Sequence, residues 1–130
     1  TELLMSLTNT FETTTLTWLL TTATATRPTT WYIGLFTTDP TDTGSGTEVT
    51  GGSYARTAAS FTITGNLASN TSAVEFPEAT DSWGTITHIG VMNASTAGSM
   101  IIHSVLTASK AIASGDVFRI NAGDLDITLD

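Results

Sequence analysis

The chain has 130 residues, enough for one domain that buries roughly two-thirds of the surface its unfolded form exposes, so its core needs no covalent staples. Its 12 acidic and 4 basic residues (Arg27, Arg56, Lys110 and Arg119) leave a net charge of −8, without the clustered Lys and Arg that phosphate contacts require, so no nucleic-acid partner is expected. Cysteine is absent, which excludes a disulfide framework, thiolate metal sites and cysteine nucleophiles. Thr, Ser, Ala and Gly dominate and only 12% of residues are charged, a hydroxyl-solvated surface of the kind found on extracellular β-proteins and virion proteins.

At the N-terminus, Leu4, Leu7, Phe11 and Trp18 recur at i, i+3, i+7 and i+14, with Leu3 and Leu19 adjacent. This spacing predicts one apolar stripe on an amphipathic helix from about Glu2 to Leu20. Thr13 to Thr15 work against it, because β-branched residues lose side-chain freedom in a helix, so an extended arm is the alternative. Either form must dock its stripe, which makes Leu4, Leu7, Phe11 and Trp18 expected interface residues. Residues 1–22 are accordingly read as a helix or arm whose removal leaves a β-domain, residues 23–130, able to fold. No run approaches the roughly 18 apolar residues of a membrane span, and no basic region of a signal peptide is present, so no membrane partner is expected.

A Thr/Ala-rich connector ends at Arg27-Pro28, where proline disfavours further helix. Trp31 to Phe36 is an almost unbroken apolar and aromatic run, as a strand buried on both faces requires. Asp39-Pro40 stops it, and Gly44, Gly46, Gly51 and Gly52 permit two reversals before Ser53. This loop, with Asp39, Asp42 and Glu48, is long for a hairpin and reads as a contact loop that can be shortened with little loss of stability.

Beyond it, strands are predicted over Thr57 to Thr64, Ser72 to Phe76, Trp83 to Met92, Met100 to Leu106, Ala111 to Ala113, Val117 to Ile120 and Leu125 to Leu129, with a turn at Gly65-Asn66. In the longest, Ile86, His88, Gly90 and Met92 are expected on one face and Trp83, Thr85, Thr87, Ile89 and Val91 on the other. A spacing of about ten residues per strand predicts a mainly β fold, an antiparallel β-sandwich or jelly-roll-like domain preceded by an α-helix. YIGLFTTDPTDTGS and HIGVMNASTAGS echo one another, as two equivalent central strands facing each other would.

Candidate chemistries fail on spacing. Counted from Asp39, a calcium loop would need ligands where Thr41, Thr43 and Thr50 stand, so no metal or other cofactor is expected. His88 and His103 each sit alone in an apolar strand and read as hydrogen-bonded sheet histidines. Glu75 and Glu78 flank Phe76-Pro77 as solvent-facing carboxylates rather than an acid/base pair. Gly44-Ser45-Gly46 lacks the spacing of a nucleophile elbow. Asn70-Thr71-Ser72 and Asn93-Ala94-Ser95 match the glycosylation sequon, which carries no meaning in a bacterial or viral product.

The stretches LFTTDPTDTGSGTE, GGSYAR and WGTITHIGVMNASTAG, within a span of roughly residues 30 to 130, resemble a family of short structural proteins of tailed bacteriophages, described as tail-fibre-like or head-decoration proteins. The resemblance implies a non-enzymatic virion component. A lone domain without collagen-like, coiled-coil or repeat extension does not reach far from its anchor, which favours a capsid decoration or cement protein bound to the major capsid protein. The alternative is a tail-fibre or baseplate module held by tail proteins and contacting the host. The apolar stripe and low surface charge further predict a homo-oligomer, with a trimer preferred.

Overall fold

The computed structural model describes residues 5–129. In chain order the elements are β1 (Met5–Leu7), α1 (Asn9–Leu20), β2 (Tyr32–Phe36), β3 (Thr57–Ala58), β4 (Phe61–Thr64), β5 (Leu67–Asn70), β6 (Val74–Glu75), β7 (Gly84–Met92), β8 (Met100–Ile112), β9 (Arg119–Ile120) and β10 (Asp126–Thr128). All strand pairs are antiparallel. They form a sheet of order β1-β8-β7-β2-β3, a smaller sheet β10-β5-β4 and a two-stranded ladder β6-β9. Ile33, Leu35, Ile89, Val91 and Ile101 from the large sheet meet Val74, Phe76, Phe118 and Leu125 in one buried cluster, with Phe61 and Ile120 packed against it. The fold is therefore mainly β and sandwich-like, with the expected helix near its start.

The N-terminal stripe resolves differently from the prediction. The helix begins at Asn9 rather than Glu2, and Met5–Leu7 is a strand on the edge of the large sheet, with Leu7 opposite Ile102. Thr8 fixes the switch. Its amide donates to the Ile101 carbonyl at 3.0 Å and its hydroxyl to the Met100 carbonyl at 2.8 Å, extending the ladder one residue before the chain coils. Leu7 packs on the core from a strand and Phe11 enters it from the helix, so their spacing reflects two elements, not one helical face. Trp18 is 69% exposed, and Leu4 lies outside the described residues. The helix tolerates its threonines because Thr14 and Thr15 donate their hydroxyls to the carbonyls of Thr10 and Phe11, one turn back.

The repeated Ile-Gly motifs lie side by side. Gly34 of β2 is opposite Gly90 of β7, flanked by the pairs Ile33 with Val91 and Leu35 with Ile89. These aliphatic neighbours enter the main core, while the glycines open the other face. A Cβ on Gly90 would lie 2.6 Å from the Met100 Cε and 3.1 Å from the Phe36 ring. The vacated space holds a second buried cluster of Phe36, Met92 and Met100.

Two further differences have local causes. The ladder is irregular between Ile86 and His88, where four residues of β8 (106–109) stand against one of β7, and Ile86 is fully buried in the same cluster as Ile89 and Val91 instead of facing away from them. Leu67–Asn70, with no alternation to announce it, is a strand because the Gly65-Asn66 turn folds it onto β4 and β10 covers its other edge. Asn70 then ties that region together. It is 2% exposed, its side-chain amide donates to the Ser72 and Asn121 carbonyls, and its side-chain oxygen accepts from the Leu125 amide. Met100–Ile112 is one continuous strand where two were expected, its far half paired with β7 as far as Gly84 opposite Ile112.

Gly90→Ala is expected to cost about 1–3 kcal/mol by overpacking against Met100 and Phe36. Because Met100→Ala vacates the same space, the double variant should lose less than the sum of the two single losses in urea unfolding. Strictly additive losses would show that the close approach at Gly90 is not what excludes a side chain.

Candidate functional site

The loop from Thr37 to Arg56 is the most elaborated irregular segment of the chain. It leaves β2 and returns beside it: Thr37 donates its amide to the Thr47 carbonyl, Phe36 pairs with Glu48, and the Val49 amide donates to the Leu35 carbonyl. Pro40 is fully buried and Val49 joins the main core. Asp39 caps the first bend by accepting the Thr41 amide at 2.9 Å. The loop thus supplies buried side chains and ladder hydrogen bonds to the core, so shortening it is expected to cost stability, in contrast to the expectation from sequence.

A polar network closes it. Arg56 grips Glu48 with two parallel bonds, Nε to Oε2 and Nη2 to Oε1, each 2.8 Å. Its Nη1 donates to the carbonyls of Ala94 (2.9 Å) and Ala97 (2.8 Å), so one guanidinium binds the 37–56 loop to the 93–99 loop. Tyr54 donates its hydroxyl to Glu48 Oε2 at 2.6 Å and accepts the Leu35 amide, while its ring stacks on Phe76 and meets Trp83 edge-on. The network sits over Gly34, where a Cβ would lie 3.1 Å from Glu48 Oε2. Burial alone would raise the Glu48 carboxyl, but hydrogen bonds from Arg56 and Tyr54 outweigh it and hold it below its ordinary value. Burial and the bond to Glu48 push the Tyr54 hydroxyl far up, and the bond to Glu48 raises Arg56. These shifts favour an ionised Glu48, a charged Arg56 and a neutral Tyr54, the states in which the clamp's hydrogen bonds form.

Asp39 and Asp42 face the histidines of the neighbouring strands. His103 Nε2 lies 2.9 Å from Asp42 Oδ1 and His88 Nε2 lies 3.8 Å from Asp39 Oδ1. Asp42 also accepts the Ser6 hydroxyl, and its carbonyl accepts the Asn9 amide, so the loop abuts the N-terminal segment. Hydrogen bonds from His103 and Ser6 hold the Asp42 carboxyl below its ordinary value. Of the residues predicted as interface, the structure brings Asp42 close to the start of α1, turns Glu48 inward onto Arg56 and Tyr54, and leaves Trp18 on the surface at the far end of the helix. Among the described residues no group of three or more His, Asp or Glu is placed to hold a metal ion. Glu75 is paired, at 3.8 Å, with the exposed Arg119.

What the sequence reading missed is a set of adjoining apolar hollows. One is lined by Trp18, Pro28 and Trp31, a second by Trp31, Ile63 and Ile127, and a third, of about 570 Å³, by Ile63, Leu67, Ile127 and Leu129. The available signal was the alternation of β4, which commits Ile63 to a face that the smaller sheet leaves uncovered.

Glu48 and Asp42 both have depressed folded values, so the stability they contribute is fully present above their unfolded values, near 4, and is lost as pH falls through the folded ones. The melting temperature should therefore fall on acidification below about pH 4.5. Glu48→Gln is expected to cost about 1.5–3 kcal/mol at neutral pH and to flatten that acid limb in thermal melts. An acid limb as steep in the variant as in the parent chain would mean that the Arg56 pair contributes nothing to stability.

Comparison with known proteins places this architecture. No curated protein matches the chain. A family model described as podophage GP4 fiber I protein gp80 matches residues 6–128, from β1 to the end of β10. The chain belongs to that family, and is a structural protein of the bacteriophage virion.

Proposed function

We propose that the chain is a non-enzymatic, tail-associated fibre module, held by other tail proteins and assembling as a homo-oligomer, with a trimer preferred. The match to a family described as a fibre protein, spanning both the N-terminal segment and the β-domain, carries this reading. The geometry agrees with it. The best-organised polar groups, Glu48, Arg56 and Tyr54, are spent on joining two loops, and elsewhere the chain exposes large apolar side chains, among them Trp18, Ile63 and Leu129, suited to assembly. Shell decoration, the location favoured by the sequence alone, is the competing placement.

Copy number separates the two. Quantitative gel densitometry of purified virions should give a small multiple of the tail symmetry, with gold-labelled antibody at the tail. A ratio close to one copy per major capsid protein, with label spread over the head, would overturn the fibre placement and favour decoration.

A further inference from the structure

The N-terminal segment is anchored only near its start. Leu7 packs on the main core, Thr8 and Phe11 are buried, and the Ser6 hydroxyl and Asn9 amide are both bonded to Asp42. Across residues 12–32, by contrast, no residue is buried, although Leu16, Trp18, Leu19 and Leu20 stand there at 57–75% exposure. Within residues 22–29 no hydrogen bond reaches another element among the described residues; the Ala23 amide bonds the nearby Thr21 hydroxyl, and attachment resumes where the Thr30 hydroxyl meets the Asn93 carbonyl. The segment is therefore a firmly docked arm on an unanchored tether.

The tether is also longer than its crossover needs. β1 and β2 are the first and fourth strands of one sheet, about 14 Å apart. α1 alone covers roughly 18 Å, and a connector over residues 21–30 reaches up to about 33 Å. Instead of crossing directly, the connector doubles back beside the helix, residues 25–28 lining a hollow of about 410 Å³ together with Phe11 and Trp18. Straightened at Thr21, helix and connector would span about 50 Å, more than the roughly 35 Å breadth of a domain of this length.

We infer that in the assembled particle the arm is exchanged between copies, residues 6–11 of one chain occupying the β8 edge and core site of the next. The structure itself shows what fills that site: the arm of a second copy has the same sequence and makes the same contacts, so no further complementarity is required. Exchange keeps those contacts and moves Leu16, Leu19 and Leu20 from open solvent to the space between two copies. A tether within one chain gives its arm an effective concentration in the millimolar range, so a dilute chain closes on itself and exchange sets in where assembly holds copies at comparable density. Passed from each copy to the next, the arms close a ring, as a trimer requires. The inference rests on the reading of the chain as an assembly component and names the segment that joins its copies.

Disulfide trapping tests it, because the chain has no cysteine of its own. Leu7 and Ile102 face one another across the β1–β8 ladder, so Leu7→Cys with Ile102→Cys locks the arm to whichever sheet it occupies. Oxidised in dilute solution, the double variant should run as a monomer on a non-reducing gel; oxidised in purified virions, it should run as covalent oligomers that neither single variant forms. A monomeric band from virions would overturn the inference. If the double variant fails to oxidise or assemble, deletion of residues 22–26 decides, since it leaves about 17 Å of tether. The deletion should turn a dilute monomer into an oligomer with an unchanged β-type circular dichroism spectrum, and a variant that stays monomeric would overturn the inference. Tail labelling and copy number report separately on placement, so a monomeric band from virions labelled at the tail would strike out arm exchange and leave the fibre reading standing.

Discussion

The clamp of Arg56 on Glu48 is the constraint on which the irregular half of the structure depends. Four donors of one guanidinium are committed, two to the carboxylate and two to the Ala94 and Ala97 carbonyls, in a site where the Arg56 side chain is only 9% exposed. Removing either partner leaves a largely desolvated charge unmatched, so the pair is retained as a unit or lost as one. Gly34 is its precondition, since any side chain there would crowd the carboxylate. The backbone strain lies where the clamp acts: Thr41, Ser53 and Ala97, the non-glycine residues with positive φ among those described, all belong to the two loops that Arg56 joins.

The same central strand links this polar face to the core. Ile33 and Leu35 point into the sandwich while Gly34 and Phe36 face the second cluster, and Tyr54 connects the two layers, its ring on Phe76 and Trp83 and its hydroxyl on Glu48. Movement of the 37–56 loop therefore has consequences in the main core as well as in the 93–99 loop. An assembly protein gains from this arrangement, because its surface is fixed before any partner arrives and less ordering entropy is lost on association.

The central strands were legible in the sequence, Trp31 to Phe36 from its apolar continuity and Trp83 to Met92 from its β-rich residues between turns. The echoed Ile-Gly motifs pointed to two equivalent central strands, and only the fold shows that these are neighbours in one sheet, meeting at Gly34 and Gly90. Features set by inserted or misread residues were not legible. The ladder irregularity before His88, where β8 carries the extra residues, accompanies Ile86 on the core face, and no alternation pattern in β7 announces it. The helix start was misplaced because an apolar residue from a strand, Leu7, and one from a helix, Phe11, happen to fall at helical spacing. Arg56 was visible as the lone cation closing an acidic loop, but its partners lie 8 and about 40 positions away, and only the fold brings Glu48 and the Ala94 to Ala97 segment together.

Native-state hydrogen exchange on the Arg56→Met variant tests the central claim most directly. If one guanidinium holds both loops, amides of residues 37–54 and 93–99 should lose protection together, while those shared between β7 and β8 keep theirs. Loss confined to 93–99, or protection unchanged in both segments, would contradict the account and show that each loop is held by its own backbone hydrogen bonds.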